Sequence, residues 1–372
     1  MPEMEDTRWM QAALDEARQG VGLASPNPTV GCVLVREGRI VGRGFHQYAL
    51  RDHAEIVALQ QAGEAARGAT AYVTLEPCSH YHRTGPCALA LIQAGVARVV
   101  AAIVDPNPQV EGRGLQMLRE AGIDVATGPL AAQAREINDA FAHSIRHGMP
   151  FVTLKIAATL DGAIAPLPES CVRAPYAITG PAAHAQVQTM RHASDALLTG
   201  IGTVLLDDPR LTDRSGGPRR RRLLRVVLDS HLRMPLDARI LAEVDDDLLI
   251  VTRSEDAAQK RALTERGARI LPIEARAAGG ISIRPVLEYL AAQDRISVMV
   301  EAGSHVNYAI LAADLADRLA LFQAPRFLGP LSVPMLAGPR GMALPRLTRT
   351  RAAAVGEDLL VEGYIHDPWQ AA

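Results

Sequence analysis

The sequence predicts an α/β protein built from two domains, and three observations support this prediction. Short apolar runs alternate with helical segments along most of the chain, which is typical of sheets crossed by helices. The length of 372 residues exceeds that of most single domains. The alternation is interrupted at "RHGMP", where Gly148 can end a helix and Pro150 cannot continue one. We therefore predict domains at residues 1–147 and 150–372, with one large α/β domain as the alternative.

The alternation can be followed element by element. In the first half we predict helices at 6–19, 54–66, 85–94, 112–121 and 130–146, and strands at 30–35, 39–45, 70–75, 97–103 and 123–126. In the second half we predict helices at 181–192, 256–267, 284–292 and 304–312, and strands at 151–158, 195–200, 223–230, 247–252, 268–273 and 295–303. The strands at 30–35 and 39–45 are predicted to pair across the turn Glu37–Gly38. The later strands, which are joined through helices, imply right-handed crossovers and a largely parallel sheet with helices on both faces.

Composition and charge exclude several classes of function. The net charge of −2 provides no global attraction to nucleic acid or to anionic membranes, and the basic run Arg219–Arg222 is interpreted as a solvated loop. The start "MPEMEDTRWM" lacks an apolar signal core, and no run approaches the roughly 18 apolar residues of a membrane span. We therefore expect a cytoplasmic protein without membrane or nucleic-acid partners.

Two of the four cysteines are candidates for a functional role. In a reducing compartment, cysteines serve as thiols or metal ligands more often than as disulfides. Cys32 lies in an apolar strand and is predicted to be a small buried side chain, while Cys171 lies in an irregular loop. The remaining pair, Cys78 and Cys87, lies in "TLEPCSHYHRTGPC".

A metal site can be assembled from this stretch and from "RDHAEIVAL" at 51–59. His53 and Glu55 cannot share one face of a regular helix, but both can reach a cation at the helix N-terminus. Strand ends and the N-termini of the helices that follow them lie at one edge of an open sheet, which brings Cys78 and Cys87 to the same edge. One imidazole and two thiolates suit Zn²⁺ and leave a fourth position open for water. We predict these three residues as zinc ligands and Glu55 as the proton carrier.

The alternative is a structural zinc site closed by His80 or His82 as the fourth ligand. That alternative leaves the position of Glu55 unexplained, and structural sites usually show a shorter cysteine spacing.

The ordered motifs of the first half resemble one family of deaminases. H-x-E followed by P-C resembles the zinc deaminases of nucleobase-type rings, although eight residues separate the two cysteines instead of two. The form "PCSHxxRTxPC", together with "SPNPTVGCVLV", "GFHQYALRDHAE", "AYVTLEPCSH" and "DPNPQVEGRG", resembles the pyrimidine deaminase half of the bifunctional riboflavin biosynthesis deaminase/reductase. The resemblance covers nearly all of residues 6–147 and implies a cytidine-deaminase-like fold. It also implies substrate contacts by Asn27, His80, Arg83 and Thr84, with His46 as an alternative near the mouth of the site.

The second half carries short motifs at predicted strand ends: "LKIAATLDGAIA", "TGIGTVLLDDPRLTDR", "VVLDS" and "VMVEAGS". A glycine between a strand and a helix lets a phosphate approach the helix N-terminus. However, "GIGTV" lacks the full dinucleotide-binding spacing, so ordinary α/β turns remain an alternative on these residues alone. In this order the motifs resemble the reductase half of the same enzyme, which is similar in fold to dihydrofolate reductase and uses NADPH.

This second resemblance implies two sets of binding residues. The residues implied to line NADPH are Ala157, Thr203, Asp207, Ser230, Gly303, Ser304, His305, Val306, Asn307, Tyr308 and Ala309. The residues implied to face the reductase substrate are Lys155, Arg191, Leu211, Arg214 and Glu301, where the two arginines suit a 5′-phosphate. One departure is that "PLPESCVRAPYAITG" replaces the family's shorter "G-x-S-x-W-I-T", with Ala177 at the Trp position. This departure weakens the predicted placement of the cofactor.

Together the resemblances predict a homo-oligomeric enzyme with one zinc per chain and NADPH that acts on small phosphorylated pyrimidines. It would deaminate 2,5-diamino-6-ribosylamino-4(3H)-pyrimidinone 5′-phosphate and then reduce the ribosyl group to give 5-amino-6-ribitylamino-uracil 5′-phosphate. Two alternatives remain. A nucleic-acid base deaminase is disfavoured by the 4% aromatic content and the slightly acidic chain. The other is a deaminase fused to a nucleotide-binding domain with weak or no reductase activity.

Overall fold

The computed structural model describes residues 2–79, 85–167, 176–273, 281–339 and 345–370. Two compact units are present. The first contains Met1–Met149, Pro218–Arg221 and the residues from Pro368 onward, and the second contains Pro150–Gly217 and Arg222–Asp367. Within the described ranges, no helix is both long enough and apolar enough to cross a membrane.

The first unit is built on a five-stranded sheet. Its helices are α1 (Pro2–Gln19), α2 (Ala54–Ala62), α3 (Cys87–Ala94), α4 (Arg113–Glu120), α5 (Ala131–Glu136) and α6 (Asp139–His147), and its strands are β1 (Gly31–Arg36), β2 (Arg39–Phe45), β3 (Thr70–Val73), β4 (Arg98–Ala101) and β5 (Asp124–Thr127). The strand order is β2-β1-β3-β4-β5. The pairs among β3, β4 and β5 are parallel, whereas β1 runs antiparallel to both of its neighbours. The predicted pairing of β1 with β2 across Glu37–Gly38 is confirmed, whereas the prediction of a largely parallel sheet is wrong for the pair of β1 with β3.

The hairpin and its glycines position the helix that carries His53 and Glu55. The turn between β1 and β2 has positive φ at both Glu37 and Gly38, as a two-residue hairpin loop requires. On β2, a Cβ at Gly44 would lie 2.3 Å from the Ala54 carbonyl oxygen, and one at Gly42 would lie 2.2 Å from that of Ala58. Only glycine allows this close approach. The start of α2 is therefore held directly against the sheet.

The predicted helix at 130–146 is divided into α5 and α6 at Asn138. The Asn138 side chain is buried, donates to the carbonyl oxygens of Thr29 and Ala134, and accepts from the Thr29 N–H at 2.8 Å. Side-chain hydrogen bonds of this kind compete with the helical pattern. The interruption thus comes from a partner more than one hundred residues away in the chain.

The basic run is more buried than the sequence suggests. Arg219, Arg220 and Arg221 are half-buried, and the Arg220 guanidinium lies 4.2 Å from the centre of the Tyr48 ring. The Arg220 N–H donates to the carbonyl oxygen of Gly22. The interpretation as a solvated loop is therefore wrong for these three arginines, because an aromatic ring and a backbone acceptor of the first unit hold the segment.

The second unit is built on a nine-stranded sheet. The strands of this unit, nine in the sheet and two in a separate pair, are β6 (Phe151–Thr159), β7 (Ala163–Pro166), β8 (Ala196–Gly200), β9 (Leu224–Leu228), β10 (Leu248–Thr252), β11 (Arg269–Pro272), β12 (Ser297–Glu301), β13 (Arg318–Ala324), β14 (Ser332–Pro334), β15 (Thr348–Val355) and β16 (Asp358–Tyr364). The helices of the unit are α7 (Pro181–Ala193), α8 (Ile201–Asp207), α9 (Ala257–Glu265), α10 (Ile283–Ala291) and α11 (Ser304–Ala312). The order is β11-β10-β9-β8-β12-β6-β13-β16-β15, while β7 and β14 form a separate pair. All pairs from β11 to β13 are parallel, and β13, β16 and β15 are antiparallel.

Several of these elements have no counterpart in the prediction. Helix α8 occupies the "GIGTVLLD" segment, which we predicted as a turn, because Ile201 and Val204 are buried in the apolar core. The strands after residue 312 were not predicted. Strand β15 is exposed along nearly its whole length, so its sequence lacks the alternation of apolar and polar residues that indicates a half-buried strand.

The end of β16 is tied back to the sheet by a histidine with two carboxylate partners. His366 donates from Nδ1 to Asp317 and from Nε2 to Asp314, each at 3.1 Å, and the hydrogen bond to Asp317 is the main reason that the pKa of His366 is raised. The stabilisation is therefore fully present below the unfolded-state pKa of about 6.5 and is lost as the pH rises through the folded-state pKa.

We accordingly expect the melting temperature of His366→Gln to fall furthest below that of the wild type in mildly acidic buffer. The difference in melting temperature between the variant and the wild type should become smaller as the pH rises, and a series of thermal melts measures it. His184→Gln, which changes an exposed histidine of α7, is the control and should follow the wild type. A difference in melting temperature for His366→Gln that stays constant with pH would contradict a stabilising role for charged His366.

Candidate active sites

Three side chains that are distant in the sequence converge at one edge of the first sheet. His53 is the residue that precedes α2, Cys78 lies in the loop after β3, and Cys87 is the first residue of α3. His53 Nδ1 lies 3.1 Å from Cys87 Sγ and 3.5 Å from Cys78 Sγ, and the three donor atoms all lie within 4.8 Å of one another. Ligand atoms around a tetrahedral Zn²⁺ are about 3.5–3.8 Å apart when the bonds have their usual lengths. One imidazole and two thiols at this spacing fit zinc.

The two thiols have different acidities. The Cys78 pKa is lowered to about 4, chiefly because the Cys87 thiol donates a hydrogen bond to it and then because His53 does so. The same contact raises the pKa of Cys87, and the hydrogen bond to Cys78 raises that of His53 to about 9. The backbone N–H of Cys87 also donates to Cys78 Sγ at 3.3 Å. The N-terminus of α3 therefore stabilises the thiolate of Cys78.

Glu55 lies in the first turn of α2, beside these three side chains. It is only 3% exposed, and its carboxyl group is hydrogen-bonded to the Cys87 thiol. Burial raises the pKa of Glu55 to about 7. A buried carboxyl group next to two thiols and an imidazole matches the geometry that we predicted for a group that exchanges protons.

Asn27 and His46 extend from the same cluster. The His46 ring lies edge-on to that of His53, with centroids 5.3 Å apart. Its Nδ1 donates to the carbonyl oxygen of Asp52 at 2.9 Å, which leaves Nε2 to accept from the amide of Asn27 at 3.0 Å. Burial lowers the pKa of His46, which favours this neutral form. Both predicted contact residues are thus held next to His53.

The other predicted deaminase residues, His80, Arg83 and Thr84, lie outside the described residues, as does His82. Cys171 also lies outside them. Cys32, predicted to be a small buried side chain, is fully buried in β1, and burial raises the pKa of its thiol.

Sequence reasoning missed two buried carboxyl groups in this region, Glu76 and Asp105. Glu76 directly precedes Pro77–Cys78, and its carboxylate accepts four backbone N–H groups. Asp105 follows β4, and its pKa is raised to about 6, first by burial and then by the negative charges of Glu76 and Cys78. Both stand at strand ends of the metal-site edge, and that position was the signal that could have identified them.

In the second unit, a buried carboxylate joins two of the predicted substrate residues. Glu301 ends β12 and lies opposite Lys155 of β6 in the register of the sheet. Arg191 of α7 makes two hydrogen bonds to Glu301, at 2.6 and 3.0 Å, and Lys155 Nζ is 3.6 Å away. Burial alone would raise the pKa of Glu301, but Arg191 and Lys155 hold it below its ordinary value.

Arg191 also organises the neighbouring segment. Its third nitrogen donates to the carbonyl oxygen of Thr212 at 3.1 Å, between the predicted residues Leu211 and Arg214. Leu211 is buried with a positive φ of 55°, whereas Arg214 is exposed. The two arginines that we grouped as phosphate ligands therefore differ, since the Arg191 guanidinium binds protein acceptors.

The residues implied to line NADPH follow or lie on four neighbouring parallel strands, in the order β9-β8-β12-β6. Ser230 follows β9, α8 with Thr203 and Asp207 follows β8, α11 follows β12, and Ala157 belongs to β6. Helices α8 and α11 are adjacent, because a Cβ at Gly200 would lie 3.0 Å from Val306. A crevice beyond the carboxyl ends of parallel strands is the usual ligand site of such sheets.

The beginning of α11 leaves room for a ligand. Among the described residues, a Cβ at Gly303 would meet no atom within 4 Å, and the buried Oδ1 of Asn307 has no hydrogen-bond partner. An open helix N-terminus fits an anionic group such as a nucleotide phosphate. The carbonyl oxygen of Ala177, at the family's Trp position, accepts from Arg326 at 3.5 Å, and residues 168–175 before it are not among those described.

The metal site leads to a direct prediction. Cys87→Ala should lose most of its bound zinc, and with it ammonia release, because two protein ligands hold zinc far more weakly than three. Zinc content after dialysis against a weak chelator measures this. Cys32→Ala, which removes a buried thiol that lies outside the cluster, is the control and should keep its zinc. If Cys87→Ala kept zinc and His80→Ala lost it, the ligand assignment would be wrong.

Both halves of the chain match known protein families. Residues 3–103 match the cytidine and deoxycytidylate deaminase zinc-binding region, and residues 150–361 match the RibD C-terminal domain. The riboflavin biosynthesis protein RibD of Aquifex aeolicus is 38% identical over 96% of this chain and 97% of its own, and that of Escherichia coli is 42% identical over 88% and 89%.

Solved structures agree as well. RibD of Acinetobacter baumannii has a TM-score of 0.82 at 36% identity and covers 97% of this chain and 99% of its own. A Thermotoga maritima diaminohydroxyphosphoribosylaminopyrimidine deaminase/5-amino-6-(5-phosphoribosylamino)uracil reductase has a TM-score of 0.82 at 31% identity and covers 98% and 99%.

The fold and the first site thus define a zinc-dependent deaminase joined to a reductase of the NADPH-dependent kind. The chain belongs to the RibD family of riboflavin biosynthesis proteins, which are bifunctional deaminase/reductases. The predicted fold class, an α/β chain with a cytidine-deaminase-like first half and a dihydrofolate-reductase-like second half, is confirmed.

Proposed function

We propose that this chain catalyses two consecutive steps on one small pyrimidine. Residues 1–147 would remove the ring amine of 2,5-diamino-6-ribosylamino-4(3H)-pyrimidinone 5′-phosphate as ammonia. Residues 150–372 would then reduce the ribosyl group with NADPH to give 5-amino-6-ribitylamino-uracil 5′-phosphate. The observation that carries the first step is the buried Glu55 carboxyl group beside the cluster of His53, Cys78 and Cys87.

In the first step, the three clustered side chains would hold Zn²⁺, which supplies Lewis acidity and a nucleophilic water at neutral pH when it is bound. Glu55 would accept the proton of the attacking water and deliver it to the departing amine. Its contact with the Cys87 thiol keeps the carboxyl group within reach of the site. Asn27, fixed by its hydrogen bond to His46, would bind a polar edge of the ring.

Of the remaining predicted residues, Arg83 would pair with the substrate phosphate, and His80 and Thr84 would lie near the ribose phosphate. The motif resemblance supports these three roles.

In the second step, NADPH would supply a hydride to the sugar carbon bonded to the exocyclic 6-amino nitrogen, while the bond from that carbon to the sugar ring oxygen breaks and the oxygen takes up a proton from water. Gly303 and the first residues of α11 would bind the cofactor's phosphates, together with Thr203 and Ser230. Lys155 and Glu301 would orient the sugar, because they lie side by side across β6 and β12. Arg214, which is exposed, would take the substrate phosphate, while Arg191 would hold Glu301.

A coupled assay tests both steps. The diaminopyrimidine substrate is added to the zinc-loaded protein with NADPH, and ammonia and the absorbance of NADPH are followed together. We expect ammonia release first and NADPH oxidation after it. Ammonia release without NADPH oxidation, in a protein that still binds NADPH, would overturn the second step and favour the fused nucleotide-binding domain.

We further propose that the enzyme is a cytoplasmic homo-oligomer that acts on free pyrimidines and does not act on nucleic acid. The slightly acidic chain with few aromatic residues supports this choice of substrate. Light scattering of the purified protein measures the oligomeric state, and an assay with cytosine- or adenine-containing oligonucleotides should yield no ammonia.

A further inference from the structure

The start of helix α4 lacks a local cap. Its N-cap residue is Gly112, which has no side chain and has a positive φ of 79°. The first N–H groups of a helix have no partner within the helix and must be satisfied from elsewhere. At α4 this need is met by a residue from a different strand, Glu76.

The Glu76 carboxylate accepts four backbone N–H groups of one segment, Asp105–Leu115. Oε1 accepts from Gly114 at 2.8 Å and from Leu115 at 3.3 Å. Oε2 accepts from Gly112 at 2.9 Å and from Asp105 at 3.1 Å. The carboxylate is only 3% exposed and faces the positive end of the helix dipole. Both oxygens are thus saturated by a single loop and helix start.

The same contact brings this segment against the metal-site loop. A Cβ at Gly114 would lie 1.8 Å from the Pro77 carbonyl oxygen, so the first turn of α4 touches the residue between Glu76 and Cys78. The Cys78 carbonyl oxygen in turn accepts from the N–H of Ala88 in α3. At the other end of the segment, the N–H of Asp105 donates to Glu76 Oε2 and the N–H of Glu76 donates to the carbonyl oxygen of Ile103, so Asp105 lies at the same strand-end edge as Glu76 and Cys78.

We propose that Glu76 is a positioning residue for the deamination: its carboxylate holds the segment Asp105–Leu115 against Pro77 and so fixes Asp105 at the strand-end edge that carries Cys78. This inference rests on the proposed function of the first unit. It assigns to Glu76 no contact with the metal or with the substrate. Asp105 would form part of the wall of the substrate site, because it follows β4 at the edge where His53, Cys78 and Cys87 converge, and Glu76 would fix its position there.

Glu76→Gln tests the proposal, because the amide keeps the size of the side chain but turns one acceptor into a donor. Two of the four N–H groups would then face an N–H. We expect kcat/KM for ammonia release to fall roughly 10- to 100-fold, mainly through a higher KM, with zinc content unchanged. Hydrogen exchange should become faster in the peptide that covers 105–115. Glu76→Asp, which keeps both oxygens on a shorter chain, should lie between the wild type and Glu76→Gln.

The control is Glu111→Gln, an equal change of charge at an exposed position of the same segment, which should behave as the wild type. Reductase activity of each variant reports on the integrity of the second unit.

An unchanged kcat/KM for Glu76→Gln, or a loss of zinc in proportion to the loss of activity, would overturn the proposal. An unchanged KM with less active protein would also overturn it, since this would show a purely structural role. If Glu76→Gln does not fold, Glu76→Asp decides by the same criteria. Failure of the wild type and Glu111→Gln to release ammonia would instead refute the proposed function.

Discussion

Glu55→Gln is expected to abolish ammonia release while the protein keeps about one zinc per chain. The amide has the size of the carboxyl group but cannot take a proton from water and pass it to an amine. Loss of a general acid–base group costs about 10²- to 10⁴-fold in rate, and the upper end applies here because one group serves both transfers. Ammonia release and zinc content, measured on the same preparation, check the expectation.

The control for Glu55→Gln is Glu64→Gln, an exposed position on the turn after α2, which should retain full activity. Loss of zinc in Glu55→Gln would show that the carboxyl group is a ligand, and activity near that of the wild type would remove it from the reaction. NADPH oxidation with the deaminated intermediate should be unaffected in both variants.

Glu301→Gln is expected to abolish NADPH oxidation and to lower the stability of the second unit. The substitution leaves Arg191 and Lys155 beside a neutral amide, and both cations are largely buried. Removal of one partner from a buried ion pair costs about 3–5 kcal/mol. The same change would remove the group that we propose to orient the sugar. Thermal melts and the oxidation rate with the deaminated intermediate measure the two effects.

Glu288→Gln, a substitution at an exposed position of α10, is the matched control for Glu301→Gln and should change neither the melting temperature nor the rate of NADPH oxidation. Ammonia release should persist in Glu301→Gln, because the deaminase residues belong to the other unit. A Glu301→Gln protein that oxidises NADPH at the wild-type rate would exclude a role for this carboxylate in the reduction.

Much of the fold was accessible from local pattern. Strong apolar runs such as those of β8, β9 and β10 are buried along their whole length, and they lie where the sequence predicted strands. The antiparallel pairing of β1 with β3 and the exposed strand β15 were not predicted. Strand direction depends on pairing partners, and an exposed strand carries no periodic signal.

The candidate sites likewise contain residues that local spacing predicts and residues whose roles depend on distant partners. The spacing of His53 and Glu55 at a helix start, and of Cys78 and Cys87 at the following strand end and helix start, was sufficient to predict a convergent cluster. The role of Arg191 was not accessible, because its partners Glu301 and Thr212 come from other elements. Glu76 was missed for a similar reason, since its four donors lie 29 to 39 residues further along the chain.

The sequence by itself determined the class of the deaminase chemistry, because zinc ligands and a proton carrier are properties of residue type and local spacing. The order of the motifs in the second half indicated the reductase by resemblance. Only the tertiary structure decided which thiol is the more acidic, which arginine is occupied by a carboxylate, and which glutamate caps a distant helix. Hydrogen bonds between separate segments set these properties, and such bonds exist only once the chain has folded.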